Sequence, residues 1–386
     1  MKRAAILLLA ALSGGCALTA PPPAVVPQQL FADAQFGAPS EEIDTSRLFD
    51  LSPAMRDYLR SPRFREMVRN RGAQRGLVDA LYNEGELRLD YDATATRPAA
   101  STFELKSGNC LSLVIMTAAL ARGLDMAVTF QEVRVGETWS RMGSLYTASG
   151  HVNIVLGGRS VAGAADMRES LVVDFLSQED AAKQRSVALE EATIVAMYAN
   201  NRAAEALAAN RVADAYWWAR KALEVEPGLA IAYNTLGAVY QVRGDNLMAE
   251  RAFRAVLARE RDSVIAMQNL APVLEAQGKT REARDMRARL AALDPEPPYH
   301  YFRAGVDAMR NAEYRLARDM FRREVERAPY SDQFHYWLGL AHLQLGDTGA
   351  AREQMALAVE NSVSRGSRDA YSSKLQRLKA MHGRAL

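Results

Sequence analysis

One small residue recurs every 34 positions through the C-terminal half of the chain, as Ala215, Ala249, Ala283, Ala317 and Ala351. Prolines occupy a second fixed place in the same period, at Pro227, Pro295 and Pro329, with Arg261 and Val363 in the other two units. A period of about 20 to 50 residues indicates a repeat architecture, in which each unit buries its apolar face against the next. The sequence therefore predicts an all-α solenoid of five repeats over 196–364, with units starting near 196, 230, 264, 298 and 332. A capping helix and tail over 365–386 are expected to follow.

Within the second unit the pattern is Leu236-Gly237, Tyr240, Ala249 and Phe253. Together with the 34-residue period it resembles the tetratricopeptide repeat (TPR). The resemblance implies one antiparallel helix pair per unit, in which the small residue lets the two helices approach and the large residues fill the gap between pairs. Proline then stops the second helix. Pro272 falls inside a first helix, where we expect a kink.

The resemblance also implies a concave groove lined by the fifth position of each first helix. These positions are Asn200, Asn234, Gln268, Phe302 and Tyr336. The amides could hydrogen-bond an extended peptide backbone, and the aromatic rings could pack against an apolar side chain. The other interpretation is that they are ordinary helix positions. We expect a protein or peptide partner in this groove.

The chain begins with Met1-Lys2-Arg3, an apolar run from Ala4 to Leu12, and Ser13-Gly14-Gly15-Cys16. This order is typical of a signal peptide, here 1–15, and the run is far shorter than the roughly 20 residues of a membrane-spanning helix. The last four residues resemble a lipobox, which implies an acylated Cys16 held in a lipid bilayer. The alternative is an ordinary cleavage site with an incidental cysteine.

If the protein is anchored, Ala17 after the lipidated cysteine resembles lipoproteins sorted to the outer membrane of the bacterial envelope, facing the periplasm. The next residues, 16–50, are rich in proline and are predicted to form a stiff spacer. The 48 basic and 46 acidic residues give a net charge of +2, so nucleic acid is not an expected partner. No glycine loop predicts nucleotide binding, no Cys or His pair has metal-ligand spacing, and no cofactor is expected.

Residues 51–190 combine helix and strand signals, which predict an α+β domain. Predicted helices are Pro53–Arg60, Arg63–Asn70 and Gln74–Gly85, and predicted strands are Ala127–Val135, His151–Leu156 and Leu171–Phe175. The stretch Gly136–Gly150 contains turn residues and predicts a long loop covering a site.

Cys110 is the one cysteine left if Cys16 is acylated, so it should be a free thiol. Asn109 can cap the apolar helix that follows, and the start of a helix favours the thiolate. A cysteine nucleophile needs a base, and His151 is the only histidine before residue 300. The base needs an orienting acceptor, for which Asp174 among apolar neighbours is the candidate.

The segments Gly108-Asn109-Cys110, Gly150-His151-Val152-Asn153 and Val173-Asp174-Phe175 carry this order. Together they resemble the transglutaminase-like branch of the papain-like cysteine enzymes. The resemblance implies that Cys110 attacks an amide carbonyl, His151 passes the proton and Asp174 orients His151, with water or an amine resolving the acyl-enzyme. The backbone N–H of Cys110 supplies one oxyanion donor, and Trp139 or Asn109 is a candidate for the second.

The alternative to an enzyme is a degenerate cysteine domain that serves as the rigid base of a non-catalytic TPR scaffold in an envelope complex. In that case Cys110 is a buried helix cysteine, His151 is satisfied by neighbours and Asp174 ends a strand. A further class is a repeat lipoprotein of polysaccharide export or pilus assembly.

Overall fold

The computed structural model describes residues 27–82, 87, 89–142, 145–159, 170–175, 186–362 and 365–382. The predicted signal peptide and Cys16 lie outside these residues. Before the repeats the described helices are α1 Pro53–Arg60, α2 Pro62–Arg71, α3 Ala73–Tyr82, α4 Ala99–Leu105 and α5 Cys110–Arg122. The strands are β1 Asp90–Tyr91, β2 Ser107–Gly108, β3 Met126–Met142, β4 Leu145–Arg159, β5 Leu171–Val173 and β6 Ser186–Leu189.

The first helix has the predicted bounds, and the second begins one residue before its predicted start. The hydroxyl of Ser52 accepts a hydrogen bond from the backbone N–H of Met55 at 3.2 Å, and that of Ser61 accepts from Phe64 at 3.3 Å. Proline follows each cap at the first helical position, where its missing N–H costs nothing.

Four strands form an antiparallel sheet in the order β5-β4-β3-β6. The expectation of a long loop over Gly136–Gly150 is wrong, because β3 and β4 continue through it as a hairpin that still pairs Thr138 with Ser149. A shift of register between Val133 and Thr138 accommodates extra residues in β3. The glycines indicated a loop, but the β-forming threonines and aromatic residues between them favour strand.

Helix α5 packs against β3 and β4 and forms the centre of the domain. Nearly all its side chains from Leu111 to Ala121 are buried, which explains why it lacks an amphipathic pattern. The buried core continues from this domain into the first three helix pairs of the C-terminal half. The sheet and the first repeats are therefore packed against one another.

Within 186–362 and 365–382 the C-terminal half forms five helix pairs and a final helix. The pairs are α6 Glu191–Ala208 with α7 Val212–Val225, α8 Ala230–Arg243 with α9 Asn246–Arg259, α10 Val264–Ala276 with α11 Thr280–Leu293, α12 His300–Arg310 with α13 Tyr314–Arg327, and α14 Asp332–Gln344 with α15 Thr348–Glu360. The final helix, α16, spans Arg365–His382. Pro272 lies inside α10, which continues through it to Ala276.

The recurring small residues are at the tightest contacts between helices. Ala215, Ala249, Ala283, Ala317 and Ala351 are all fully buried. At Gly237 a β-carbon would lie 2.6 Å from the ring of Phe253, and at Gly305 it would lie 2.6 Å from the ring of Phe321. These contacts make the region a TPR-like stack of helix pairs.

Residues 27–41, here called the N-terminal strap, lie against the first two repeats. The ring of Phe36 stacks on Tyr216 with centroids 3.8 Å apart and planes 4° from parallel. The hydroxyl of Tyr240 donates to the carbonyl of Leu30 at 2.7 Å. This part of the predicted spacer is therefore docked, because apolar residues between its prolines find aromatic partners on the repeats.

Polar contacts hold the other end of the strap. The backbone N–H and the hydroxyl of Ser40 both donate to the carboxylate of Asp214, each at 2.6 Å. The carboxylate of Glu41 accepts from the indole of Trp218 at 2.6 Å and from Arg202 at 2.7 Å. The strap thus ends in a buried polar cluster on α6 and α7.

Candidate functional site

Cys110 is the first residue of α5 and is a partly buried free thiol. Asn109 caps the helix, since its Oδ1 accepts from the backbone N–H of Ser112 at 3.0 Å and its Nδ2 donates to Thr96 at 2.7 Å. A β-carbon at Gly108 would lie 2.6 Å from Cβ of Ser112, so only glycine fits before the cap. The sequence Gly108-Asn109-Cys110 thus fixes the thiol at the positive end of a helix.

His151 and Asp174 meet across neighbouring strands. Nε2 of His151 lies 2.6 Å from Oδ1 of Asp174, and the two side chains are only 7% and 9% exposed. Ile154 of β4 pairs with Val173, the last residue of β5. Asp174 follows directly after β5 and therefore comes beside Asn153 and His151 of β4. Nδ2 of Asn153 donates to the other carboxylate oxygen at 3.3 Å. The carboxylate is held by two partners on one strand.

The thiol of Cys110 lies beside the ring of His151. Since Nε2 faces Asp174, the nitrogen that faces the sulfur is Nδ1. Burial of the imidazole opposes its charged form, but the hydrogen bonds with Asp174 and Cys110 and their negative charges outweigh burial and raise the pKa of His151 to about 9. At neutral pH the imidazole is therefore favoured in its charged form, and a positive charge beside a cysteine sulfur increases its reactivity.

Of the two side chains considered for the oxyanion site, the structure describes that of Asn109. The amide of Asn109 is engaged by Thr96 and Ser112, and the side chain of Trp139 lies outside the described part of the chain. Sequence reasoning missed Tyr91, whose hydroxyl lies beside the backbone N–H of Cys110. Its strand, β1, is two residues long and therefore has no periodicity to detect.

The five predicted groove residues lie in the stack of helices, where four are buried and Tyr336 is partly buried. Asn200, Asn234, Gln268 and Phe302 are buried, and Tyr336 stacks on Tyr371 of α16 with centroids 4.7 Å apart. Their role in holding a peptide stays a prediction, and a ligand that uses them needs access that the packing does not give.

Two connections join the thiol site to the repeats. Strand β4, which carries His151, contacts helices α8 and α10. The backbone N–H of Thr96, the residue that holds the Asn109 amide, donates to the carboxylate of Glu205 on α6 at 2.6 Å. Glu205 also lies 3.7 Å from Arg202, which binds Glu41 of the strap.

A scan of protein-family models finds no match to the chain, and a search of curated proteins finds no similar sequence. The chain is similar to solved repeat structures. One is YrrB, described as a TPR protein with an unusual peptide-binding site, at 20% identity over 46% of this chain and 92% of YrrB, with a TM-score of 0.26. Another is the thermophilic TPR protein TTC0263 of Thermus thermophilus, at 16% identity over 47% of this chain and 99% of that one, with a TM-score of 0.35.

A third similar structure is Pseudomonas aeruginosa pilF, at 17% identity over 49% of this chain and 94% of pilF, with a TM-score of 0.31. No family model and no curated sequence supports the transglutaminase-like resemblance of the cysteine domain. The thiol chemistry depends on the geometry of the site.

Within the described ranges, no helix combines the length and the apolar character that crossing a bilayer requires.

Proposed function

We propose that the protein is a cysteine-dependent enzyme of the transglutaminase-like type, which cleaves or transfers an acyl group at an amide bond, and that its repeats hold a protein or peptide partner. The observation that carries this proposal is the contact series from the Cys110 thiol through His151 to Asp174, with a distance of 2.6 Å between His151 and Asp174.

The proposed reaction begins when the thiolate of Cys110 attacks the carbonyl carbon of an amide. The tetrahedral intermediate collapses as His151 gives its proton to the leaving nitrogen, the C–N bond breaks and a thioester remains. Water or an amine, deprotonated by His151, then attacks the thioester and the C–S bond breaks. Asp174 keeps the ring oriented and stabilises its positive charge at each step.

The repeats give the proposed enzyme its second part. TPR-like helix pairs bind proteins or peptides in known repeat architectures through extended concave surfaces. Here the stack is packed against the thiol domain through β4 and through the bond from Thr96 to Glu205. We propose that a partner bound by the repeats is thereby brought near Cys110. Export, acylation of Cys16 and a place in the bacterial envelope remain part of the proposal.

Alkylation by iodoacetamide at about pH 5.5 tests the thiol site. An ordinary thiol with a pKa near 8.5 is only about one part in a thousand thiolate at this pH. We expect the wild-type chain to be labelled at Cys110, located by peptide mass mapping, and His151→Ala to lose at least about tenfold in rate. Cys110→Ser is the control for the labelled position. Labelling that appears only above about pH 8.5 would contradict the proposal.

The second candidate function is a non-catalytic scaffold built on the same repeats. The observation that favours it is the similarity of the chain to repeat proteins alone. The scaffold predicts that Cys110→Ser and His151→Ala leave the binding of a partner and the cellular phenotype unchanged. Loss of partner binding or of the cellular phenotype in these two variants, with the chain still folded, would reject the scaffold function.

A further inference from the structure

The backbone N–H of a nucleophilic cysteine at a helix start is positioned to stabilise the oxyanion of an acyl-transfer reaction. In this chain the hydroxyl of Tyr91 lies beside that N–H. The position follows from a short parallel pairing of β1 with β2, in which Tyr91 lies opposite Gly108. The N–H of the next residue, Asp92, donates to the carbonyl of Gly108 at 3.0 Å. The phenol oxygen thus lies close to the place where a substrate carbonyl oxygen would bind.

Nearby amides whose side chains are described are already committed. Asn109 caps α5 and donates to Thr96, and Asn153 donates to Asp174. The Tyr91 hydroxyl lies near the backbone of Cys110 and carries one proton that it can donate. Tyr91 as a residue is 45% exposed, so a shift of its hydroxyl toward an incoming oxygen meets little packing resistance.

The hydroxyl also keeps its proton in the working pH range. Burial of the phenol oxygen raises the pKa of Tyr91, and the negative charge of Cys110 raises it further. A neutral phenol beside a thiolate remains a donor, whereas a phenolate would repel the developing oxyanion.

We propose that the hydroxyl of Tyr91 is the second oxyanion donor of the thiol site, a catalytic residue that acts together with the backbone N–H of Cys110. This inference rests on the proposed function. As the sulfur attacks, the carbonyl π electrons move onto the oxygen, which takes hydrogen bonds from both groups. The phenol turns its O–H toward the same atom. When the C–N bond breaks, the electrons return to the carbonyl and both donors are released.

Two reactions of the same thiol separate this role from a structural one. Acylation of Cys110 by p-nitrophenyl acetate passes through a tetrahedral oxyanion, with release of p-nitrophenolate as the signal. Alkylation by iodoacetamide forms the C–S bond as the C–I bond breaks and develops no oxyanion. Both rates are measured on the full chain for wild type, Tyr91→Phe and Tyr330→Phe, the last a matched control at a tyrosine that is 83% exposed.

We expect Tyr91→Phe to slow acylation by roughly a hundredfold, the effect of removing one oxyanion donor. Alkylation should stay within about twofold of wild type, because phenylalanine leaves the thiolate and its helix start in place. Tyr330→Phe should change neither rate. Equal loss in both reactions would show that Tyr91 acts on the thiol or the fold, and would overturn the assignment. Faster acylation would overturn it too, since the phenol would then block the site.

The same assay distinguishes failure of the proposed function. If wild-type Cys110 reacts with neither reagent at mildly acidic pH, the thiol site is inactive and both proposals fall. If wild type reacts with both, and Tyr91→Phe changes neither rate, the thiol enzyme stands and only the role of Tyr91 is rejected.

Discussion

Replacing Phe36 by alanine tests how the N-terminal strap is held against the repeats. The ring lies between Tyr216, with centroids 3.8 Å apart, and the guanidinium of Arg243, 4.6 Å from the ring centre. The Phe36 ring also makes an edge contact with Tyr240, with ring centroids 5.7 Å apart, and only 7% of Phe36 is exposed. Alanine removes all three ring contacts and keeps the backbone hydrogen bonds of the strap.

The size of the effect follows from these contacts. Burial of a phenylalanine side chain is worth about 1.5–3 kcal/mol, and a well-placed aromatic pair adds about 0.5–1.5 kcal/mol. We expect Phe36→Ala to weaken docking by about 3 kcal/mol, which raises the undocked fraction by roughly a hundredfold. The repeats keep their own core, so the loss should fall on the strap and not on the whole chain.

Limited proteolysis and tryptophan fluorescence measure this local release. The indole N–H of Trp217 donates to the carbonyl of Gly37 at 2.8 Å, so undocking exposes that indole to water. We expect faster cleavage within 27–41 and a red shift of emission, with unchanged helix content by circular dichroism. Gln35→Ala, at an exposed position of the same strap, is the control. Cleavage and emission equal to wild type in Phe36→Ala would refute the docking described above.

Two further predictions concern the thiol site and the repeats. The pKa of His151 is raised to about 9, above its unfolded value near 6.5, so the stabilisation is fully present below about pH 6.5 and is lost as pH rises through 9. The free energy of unfolding in urea should therefore fall by about 2 kcal/mol across this window once solvent screening is allowed for. Asp174→Asn should flatten this dependence on pH, and an equal slope in both proteins would contradict the prediction. In the repeats, Gly237→Ala should lower the free energy of unfolding by about 1–3 kcal/mol because its β-carbon meets the ring of Phe253. Gly366→Ala, with nothing within 4 Å, should show no loss, and equal stability of the two variants would contradict the packing argument.

The repeats could be predicted because each packing contact is made by residues that lie close together in the sequence and recur in successive units. A small residue at Ala249 and a ring at Phe253 serve the same contact in successive units, so five copies of one pattern outweigh any single irregular position. The meeting of Cys110, His151 and Asp174 could also be expected, since each lies beside a cap or strand signal. Their catalytic role stays a prediction that the labelling experiment tests.

The parts that could not be predicted depend on contacts between distant segments. The strap is held by Tyr216 and Trp218, about 180 residues away in the chain, and no short pattern connects them. The same holds for Tyr91, which reaches the thiol through a two-residue strand. The hairpin was missed for a different reason, since a bulge and several glycines hide the alternation of β3 and β4.

Strand β4 lies against α8 and α10 and also carries His151, and this has a thermodynamic consequence. A ligand that reaches the covered faces of these helices must displace a strand of the same polypeptide. Its binding is then linked to the position of the imidazole. Linkage is reciprocal, so if such a ligand changes the equilibrium for acylation of Cys110 by some factor, acylation changes the affinity for the ligand by the same factor.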